Sequence, residues 1–241
     1  MFKLYKILPI QIVLVLHSKE CYNAEGADNM KDIPAFATEN GVASLILKEI
    51  PYRREAYIHI NYSLSPEVLL KECVEFCTMC GAEKIYATGH EILEQYPMYT
   101  VMFLMWADRS ALPGTDAVLS SVQEQTLQQW QQLYNERMRS VPNAAWMTQK
   151  DAQEMLQKGD GYFVHRNGEL LGIGRASGNT IDVVIAAKKG AGLDVVCALG
   201  HSLTEDILTL IVASENPKAV RLYERLGFVK SAELSRWYCV V

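Results

Sequence analysis

The chain has 241 residues, a net charge of −5 and a pI of about 5.6. A generic nucleic-acid binder carries an excess of Lys and Arg, so this charge balance argues against that class and we expect no nucleic-acid partner. Because 49% of the residues are hydrophobic and 21% are charged, the chain can bury a full core, and its length suits two domains of roughly 100 to 130 residues each.

The first twenty residues allow two interpretations. Two lysines precede the apolar run ILPIQIVLVL, as in a signal peptide, but Pro9 and Gln11 interrupt the run and no small-residue cleavage site follows. We therefore predict a strand at residues 2–8 and a helix at about residues 9–20. No stretch approaches the ~18 apolar residues that span a bilayer, and six cysteines without paired short spacings suggest reduced thiols. We expect a cytoplasmic protein without a membrane partner.

Two Asn-Gly pairs, at residues 40–41 and 167–168, each predict a tight hairpin between strands. After each Asn-Gly pair the same order of elements follows, which is two strands, a helix and a further strand. We therefore predict two copies of one α/β unit, residues 1–112 and 116–241. A Pro-Gly pair at residues 113–114 indicates the linker between them.

Three cysteines of the first copy have the C-x3-C-x2-C spacing of an iron–sulfur site, at Cys73, Cys77 and Cys80. The same spacing places three small apolar side chains on one face of a helix. Strong helix formers surround the cysteines, and Gly81 can end the helix. We interpret them as core residues and expect no metal.

Three further elements are predicted around the start of the second copy. The run YTVMFLMW at residues 99–106 is rich in β-favouring residues and suits a central strand. A long helix is predicted for residues 120–138, and Thr148 can cap a shorter one that follows.

The copies differ between the strand and its helix. The second copy has the glycine loop Lys188-Lys189-Gly190-Ala191-Gly192, whereas the first has only Ser63-Leu64-Ser65-Pro66. Glycines let backbone N–H groups approach an anion, and the following helix N-terminus adds its dipole. Ser and Pro can begin a helix but leave no such opening. We predict a phosphate site in the second copy only, with the loop lysines beside the phosphate rather than forming an ordinary solvated pair.

The strands on either side of that loop and helix are apolar, at residues 180–186 and 207–214. The helix between them allows a right-handed crossover, so the strands should be parallel neighbours with a ligand site at their carboxyl ends. A last helix begins at Asn216-Pro217 and ends at Gly227. Its inner face consists of Ala219, Leu222, Tyr223 and Leu226.

Two motifs in this region resemble those of the GCN5-related N-acetyltransferases. The first, V-x4-(basic)-G-x-G, is carried by Val184, Lys189, Gly190 and Gly192. The second, N-x2-A-x2-L-Y-x3-G-F, is carried by Asn216, Ala219, Leu222, Tyr223, Gly227 and Phe228. The loop aligns in two registers, opened by Lys189 and closed by Asp194, or opened by Ala187 and closed by Gly192. Either register departs from the family pattern at one position.

This resemblance implies the fold and the ligand. The expected fold class is α/β (α+β), with two mixed-sheet units that each have a central βαβ crossover and flanking helices. The implied reaction moves an acetyl group from acetyl-CoA, a co-substrate, to a primary amine by direct attack. The diphosphate would bind the loop, and the pantetheine arm would follow the preceding strand. The implied coenzyme-binding residues are Val183, Val184, Ile185, Lys188, Lys189, Gly190, Ala191, Gly192, Leu193, Asn216, Ala219 and Tyr223.

The resemblance also implies catalytic roles. Tyr223 has the family position of the acid that protonates the departing thiolate, although a core tyrosine would satisfy the same helical spacing. Asp182 and Glu215 are alternatives for the base by position, and a water chain is a third. We expect a small-molecule or peptide amine as acceptor and a monomer or homodimer as assembly. Two other functions stay open, a non-catalytic module that binds a CoA thioester and transfer of a longer acyl group.

Overall fold

The computed structural model describes residues 30–241. The strand and helix predicted for residues 2–20, and the interpretation of that segment as a signal peptide, lie outside the described residues. The chain forms two compact units, of which the first contains the described residues up to Pro97 together with Tyr238–Val241, and the second is Met98–Trp237. The division into sequence copies at residues 112 and 116 stays a prediction.

The first unit is a mixed sheet with a helix packed on one face. Its strands pair in the order β1-β2-β3-β4, antiparallel except for the last two, which are parallel and joined by α2. This is the predicted βαβ crossover. The elements in chain order are β1 (Ile33–Thr38), β2 (Gly41–Ile46), α1 (Ile50–Arg53), β3 (Glu55–Ser63), α2 (Pro66–Met79) and β4 (Lys84–Thr88).

The cysteines of the C-x3-C-x2-C spacing belong to this unit's core. Cys73 and Cys77 are fully buried on α2, and Cys80 follows the last helical residue. Burial raises the pKa of both buried thiols to about 12, whereas cluster ligation requires thiolates. Gly81, with a φ of 97°, ends the segment. Residues 30–241 contain no group of three or more His, Cys, Asp or Glu side chains arranged to hold a metal.

The second unit is a longer mixed sheet. Its strands lie in the order β11-β5-β10-β9-β8-β7-β6, and the last residues of β11 belong to the first unit. The β9-α5-β10 segment is its βαβ crossover. The elements in chain order are β5 (Met98–Asp108), β6 (Val118–Ser121), α3 (Glu124–Met138), α4 (Gln149–Lys158), β7 (Gly161–Arg166), β8 (Glu169–Ser177), β9 (Thr180–Ala186), α5 (Gly192–Ser202), β10 (Ile207–Ala213), α6 (Pro217–Arg225) and β11 (Val229–Cys239).

The hairpin turns follow the prediction in one unit and shift in the other. Asn167 and Gly168 form the two-residue turn of β7 and β8, with φ values of 50° and 79°. In the first unit Thr38 pairs with Gly41, so the turn consists of residues 39–40 and the predicted position is wrong by one residue. Gly41 is the first residue of β2. A side chain is excluded at this position because a Cβ there would lie 2.4 Å from the Tyr62 carbonyl oxygen.

The predicted helix of residues 120–138 is also shorter than expected. Residues 118–121 form β6 and pair with β7, which the local sequence does not indicate. A capping box between Gln123 and Thr126 then begins α3 at Glu124. Thr148 caps α4 as predicted, since its hydroxyl accepts a hydrogen bond from the Asp151 N–H at 3.2 Å. The aromatic run forms the central strand β5, as predicted.

The segment predicted to be a linker is held within the second unit. Leu112 is buried, and its Cδ1 would lie 2.3 Å from a Cβ placed on Gly200 of α5. The Pro113 carbonyl oxygen lies 3.0 Å from His201 Nε2 on the same helix. None of the helices within residues 30–241 is long and apolar enough to cross a membrane.

Candidate functional site

The strands β9 and β10 run parallel, as predicted, but pair at one position within the described chain. Thr180 lies opposite Thr209, and their hydroxyl oxygens are 3.1 Å apart. In the first unit, by contrast, β3 and β4 pair at five consecutive positions. The second unit therefore opens between its parallel strands toward their carboxyl ends, whereas the corresponding pair in the first unit stays closed.

A cavity of about 420 Å³ lies at this opening. Its volume is in the range of small-ligand sites. Because β8 pairs with one edge of β9, the other edge has backbone N–H and C=O groups that face the cavity without a partner strand. The lining comes from β9 (residues 182–186), β10 (residues 211–213), α6 and the segment between α3 and α4.

A β-bulge shapes β9 beside the cavity. Arg175 pairs with Val183 and Ala176 pairs with Ile181, which leaves Asp182 as the extra residue. The bulge reverses the alternation of side chains, so Ile181 packs in the α5 core whereas Val183 packs with the α3 and α4 side. Asp182 is one of the residues that line the cavity.

The predicted glycine loop lies between β9 and α5. Gly190 has a φ of 92°, and Gly192 is the first residue of α5. A Cβ on Gly192 would lie 3.0 Å from Leu222 Cδ2, so this glycine also lets α6 approach. The N–H groups of the first helical turn have no intrahelical acceptor and can bind an anion. These features are compatible with anion binding, which stays a prediction.

The charged residues of the loop have different partners. Lys188 forms an ion pair with Glu169 of the β7–β8 hairpin. Lys189 makes no ion pair within residues 30–241. Asp194, in the first turn of α5, does not point its charge at the loop, because its Oδ1 lies 2.6 Å from Arg166 Nη2. The charge of this carboxylate is therefore paired with Arg166.

The last helix has the predicted caps. Asn216 Oδ1 accepts a hydrogen bond from the Ala219 N–H at 3.3 Å, and Pro217 is the first helical residue. Gly227, with a φ of 88°, follows its end, and Phe228 is buried beyond it. Asn216, Ala219 and Tyr223 all line the cavity.

Tyr223 reaches the cavity from the core side. Its side chain is 8% exposed, and its ring lies 5.8 Å from that of Phe228. Burial raises the pKa of the phenol to about 12. Its hydroxyl has no hydrogen-bond partner among the described residues, so the proton is available to a bound group.

The two candidate bases occupy different environments. Asp182 lines the cavity, and burial raises its pKa, although the charge of Arg175 opposes that shift. Arg175 itself is paired with Asp160 at 2.7 Å. The side chains of Asp182 and Glu215 are both exposed to solvent, but Glu215 is not part of the cavity lining. The structure brings only the first of them to the site.

One wall of the cavity was not predicted from the sequence. Arg137 and Met138 at the end of α3, and residues 141–145 after it, line the cavity. The Tyr134 hydroxyl holds this wall by donating to the Ala145 carbonyl at 3.0 Å. Arg137 Nη2 donates to the Ala187 carbonyl at 3.4 Å, which places a guanidinium at the start of the glycine loop. The turn signal Pro142-Asn143 could have located the segment but not its contact with β9.

The sequence matches no protein-family model and no curated protein. The fold is similar to that of a functionally unknown conserved protein from Staphylococcus epidermidis, with a TM-score of 0.57 and 12% identity over 88% of this chain and 94% of that one. A GCN5-related N-acetyltransferase from Anabaena variabilis gives a TM-score of 0.55 and 10% identity over 83% of this chain and 59% of that one. A GCN5-related N-acetyltransferase from Kribbella flavida gives a TM-score of 0.51 and 11% identity over 84% of this chain and 58% of that one. This chain spans less than two thirds of the length of the last two. On this likeness and on the mixed-sheet units described above, the chain has the fold of the GCN5-related N-acetyltransferases.

Proposed function

We propose that the protein is an N-acyltransferase that moves an acetyl group from acetyl-CoA to a primary amine. The observation that carries the proposal is the opening between β9 and β10 toward their carboxyl ends. The glycine loop follows β9 at this end, and Tyr223, whose hydroxyl has no partner among the described residues, lines the cavity there. The acceptor is a small-molecule or peptide amine, and the first unit takes no part in coenzyme binding because its parallel strands stay paired.

The residues at the opening fit coenzyme A. Pantetheine is an extended chain with two amides, and the free edge of β9 at residues 183–185 can pair with it as a neighbouring strand would. The diphosphate suits the amides of residues 190–193 at the start of α5. Lys189 and Arg137 supply positive charge at this end. Asn216 and Ala219 line the same cavity, close to the end where the thioester would lie.

The chemical step is an acyl transfer without a covalent enzyme intermediate. The neutral amine attacks the thioester carbonyl carbon, a C–N bond forms, and the C–S bond breaks as the sulfur leaves with the electron pair. Tyr223 donates its phenol proton to that sulfur, and the ammonium proton of the intermediate passes to a base. Burial raises the pKa of a thiol as well as that of a phenol, so a thiolate in this cavity is a better proton acceptor than one in water.

A base is needed because a free primary amine has a pKa near 10.4 and is neutral in only on the order of one molecule in a thousand at pH 7. Asp182 is the carboxylate that lines the cavity, and its raised pKa makes it a better proton acceptor than an ordinary Asp. Its position on a bulge of β9, one residue before the segment 183–185 that would pair with pantetheine, suits this role.

Acetyl-CoA consumption across a panel of amines, amino acids and peptides tests the proposal. The same assay compares the kcat of variants at the two candidate bases. Asp182→Asn should lower kcat by about 10- to 100-fold for the preferred acceptor. Glu215→Gln should leave it within about 2-fold, because that side chain is exposed outside the cavity. Equal losses in both variants would exclude Asp182 as the specific base, and no turnover with any acceptor would favour a passive CoA-binding module.

A further inference from the structure

The carboxylate of Asp194 is placed where it could oppose an anionic ligand. Asp194 is the third residue of α5, in the turn whose free N–H groups follow the glycine loop. An acid at that place is attracted by the positive end of the helix, as a diphosphate would be. Two anions near one helix terminus repel each other. Binding at the loop therefore depends on where this carboxylate is directed.

Arg166, at the end of β7, holds the Asp194 carboxylate in an ion pair. The Nη2 of Arg166 lies 2.6 Å from Asp194 Oδ1, and the Nε of the same guanidinium lies 2.5 Å from Asp116 Oδ1. Thr115 Oγ1 is a second, longer donor to Asp194, at 3.4 Å. The hydrogen bond with Asp194 raises the pKa of Arg166, so the guanidinium stays charged at all working pH values.

The same hairpin holds the other end of the loop. Arg166 and Glu169 flank the turn formed by Asn167 and Gly168, and they pair with each other in the strand register. Glu169 forms the ion pair with Lys188, the first lysine of the loop. The two residues that flank this turn therefore contact the segment on both sides of the glycines, Arg166 through Asp194 and Glu169 through Lys188.

We propose that Arg166 is a positioning residue for coenzyme binding, which withdraws and neutralises the Asp194 carboxylate so that the loop and the helix terminus are free for the diphosphate. The proposal rests on the proposed function. Arg166 does not touch the ligand in this account. Its effect passes through Asp194, and replacing both residues together should therefore restore what replacing Arg166 takes away.

Calorimetric titration of the full chain with coenzyme A tests this with a double-mutant cycle. Arg166→Gln should weaken binding about 10-fold, because it leaves an uncompensated negative charge beside the loop. The double variant Arg166→Gln/Asp194→Asn keeps the net charge of the parent and should bind within about 2-fold of it. Asp194→Asn alone leaves the guanidinium less compensated and should tighten binding about 3-fold, a readout that does not depend on how well the Arg166 variant folds.

The control is Arg236→Gln, which breaks the exposed ion pair of a different arginine with Glu233 and should bind like the parent. A rise in salt should shrink the difference between the parent and Arg166→Gln, because the effect is electrostatic. The proposal is overturned if Arg166→Gln binds like the parent, if the double variant stays as weak as Arg166→Gln, or if Asp194→Asn weakens binding. Those results leave the proposed function intact, whereas a parent that does not bind coenzyme A overturns both.

Discussion

Acetyl-CoA should bind the parent protein and should no longer bind when Gly190 and Gly192 are both replaced by glutamate. The two carboxylates would enter the space that the diphosphate needs and would add negative charge to it. We expect the affinity to fall at least about 100-fold, equivalent to about 2.7 kcal/mol. Isothermal titration calorimetry at fixed ionic strength measures this directly.

The single variant Gly190→Glu separates the charge effect from packing. A Cβ on Gly192 comes close to Leu222, so that substitution disturbs the contact between α5 and α6. A Cβ on Gly190 meets nothing within 4 Å, and the cost there is its positive φ of 92°. Gly178→Glu is the matched control, because Gly178 also has a positive φ, of 59°, and open space around it, but lies in the turn at the opposite end of β9.

If Gly190→Glu binds acetyl-CoA like the parent, the loop is not the phosphate site. If Gly178→Glu loses binding to the same extent, the loss is a general effect of the added charge and strain. The expected pattern is a large loss for the loop variant and no loss for the turn variant.

Tyr223→Phe should reduce kcat by about 10²- to 10⁴-fold and leave the affinity for coenzyme A within about 2-fold of the parent. The phenol donates the proton that the leaving sulfur needs, but it contributes little to coenzyme binding. Because its hydroxyl has no protein partner among the described residues, removing it should not lower the free energy of unfolding. Steady-state kinetics, calorimetry and thermal unfolding of the same preparation check the three expectations.

The pH dependence follows from the raised pKa of Tyr223. Burial disfavours the phenolate, so the acid form persists up to about pH 12 rather than pH 10. The parent should therefore show no alkaline loss of kcat from this group below pH 10. The control is Tyr162→Phe, which should keep full activity because Tyr162 is a partly buried residue of β7 outside the cavity. An unchanged kcat in Tyr223→Phe would remove Tyr223 from the chemical step.

The parts of this fold that the sequence predicted depend on local signals. The Asn167-Gly168 turn, the Thr148 cap and the Asn216-Pro217 start of α6 are each determined by a few adjacent residues. The apolar runs that form β9 and β10 are likewise visible as short blocks bounded by polar residues.

The parts that the sequence did not predict depend on contacts between distant residues. Residues 120–121 read as the start of a helix but pair with β7 about 40 residues later, because sheet pairing overrides a local preference. The cavity wall at residues 141–145 is placed by contacts with Tyr134 and β9. The partner of Asp194 on α5 is Arg166 on β7, and nothing in the sequence around either residue indicates the pair.

A crystal structure of the protein with coenzyme A would show directly whether the ligand lies between β9 and β10. We expect the diphosphate on the main-chain amides of residues 190–193, the pantetheine arm along the free edge of β9, and the sulfur within hydrogen-bonding distance of the Tyr223 hydroxyl. A coenzyme bound outside the opening between β9 and β10, or a sulfur that side chains separate from Tyr223, would contradict this expectation.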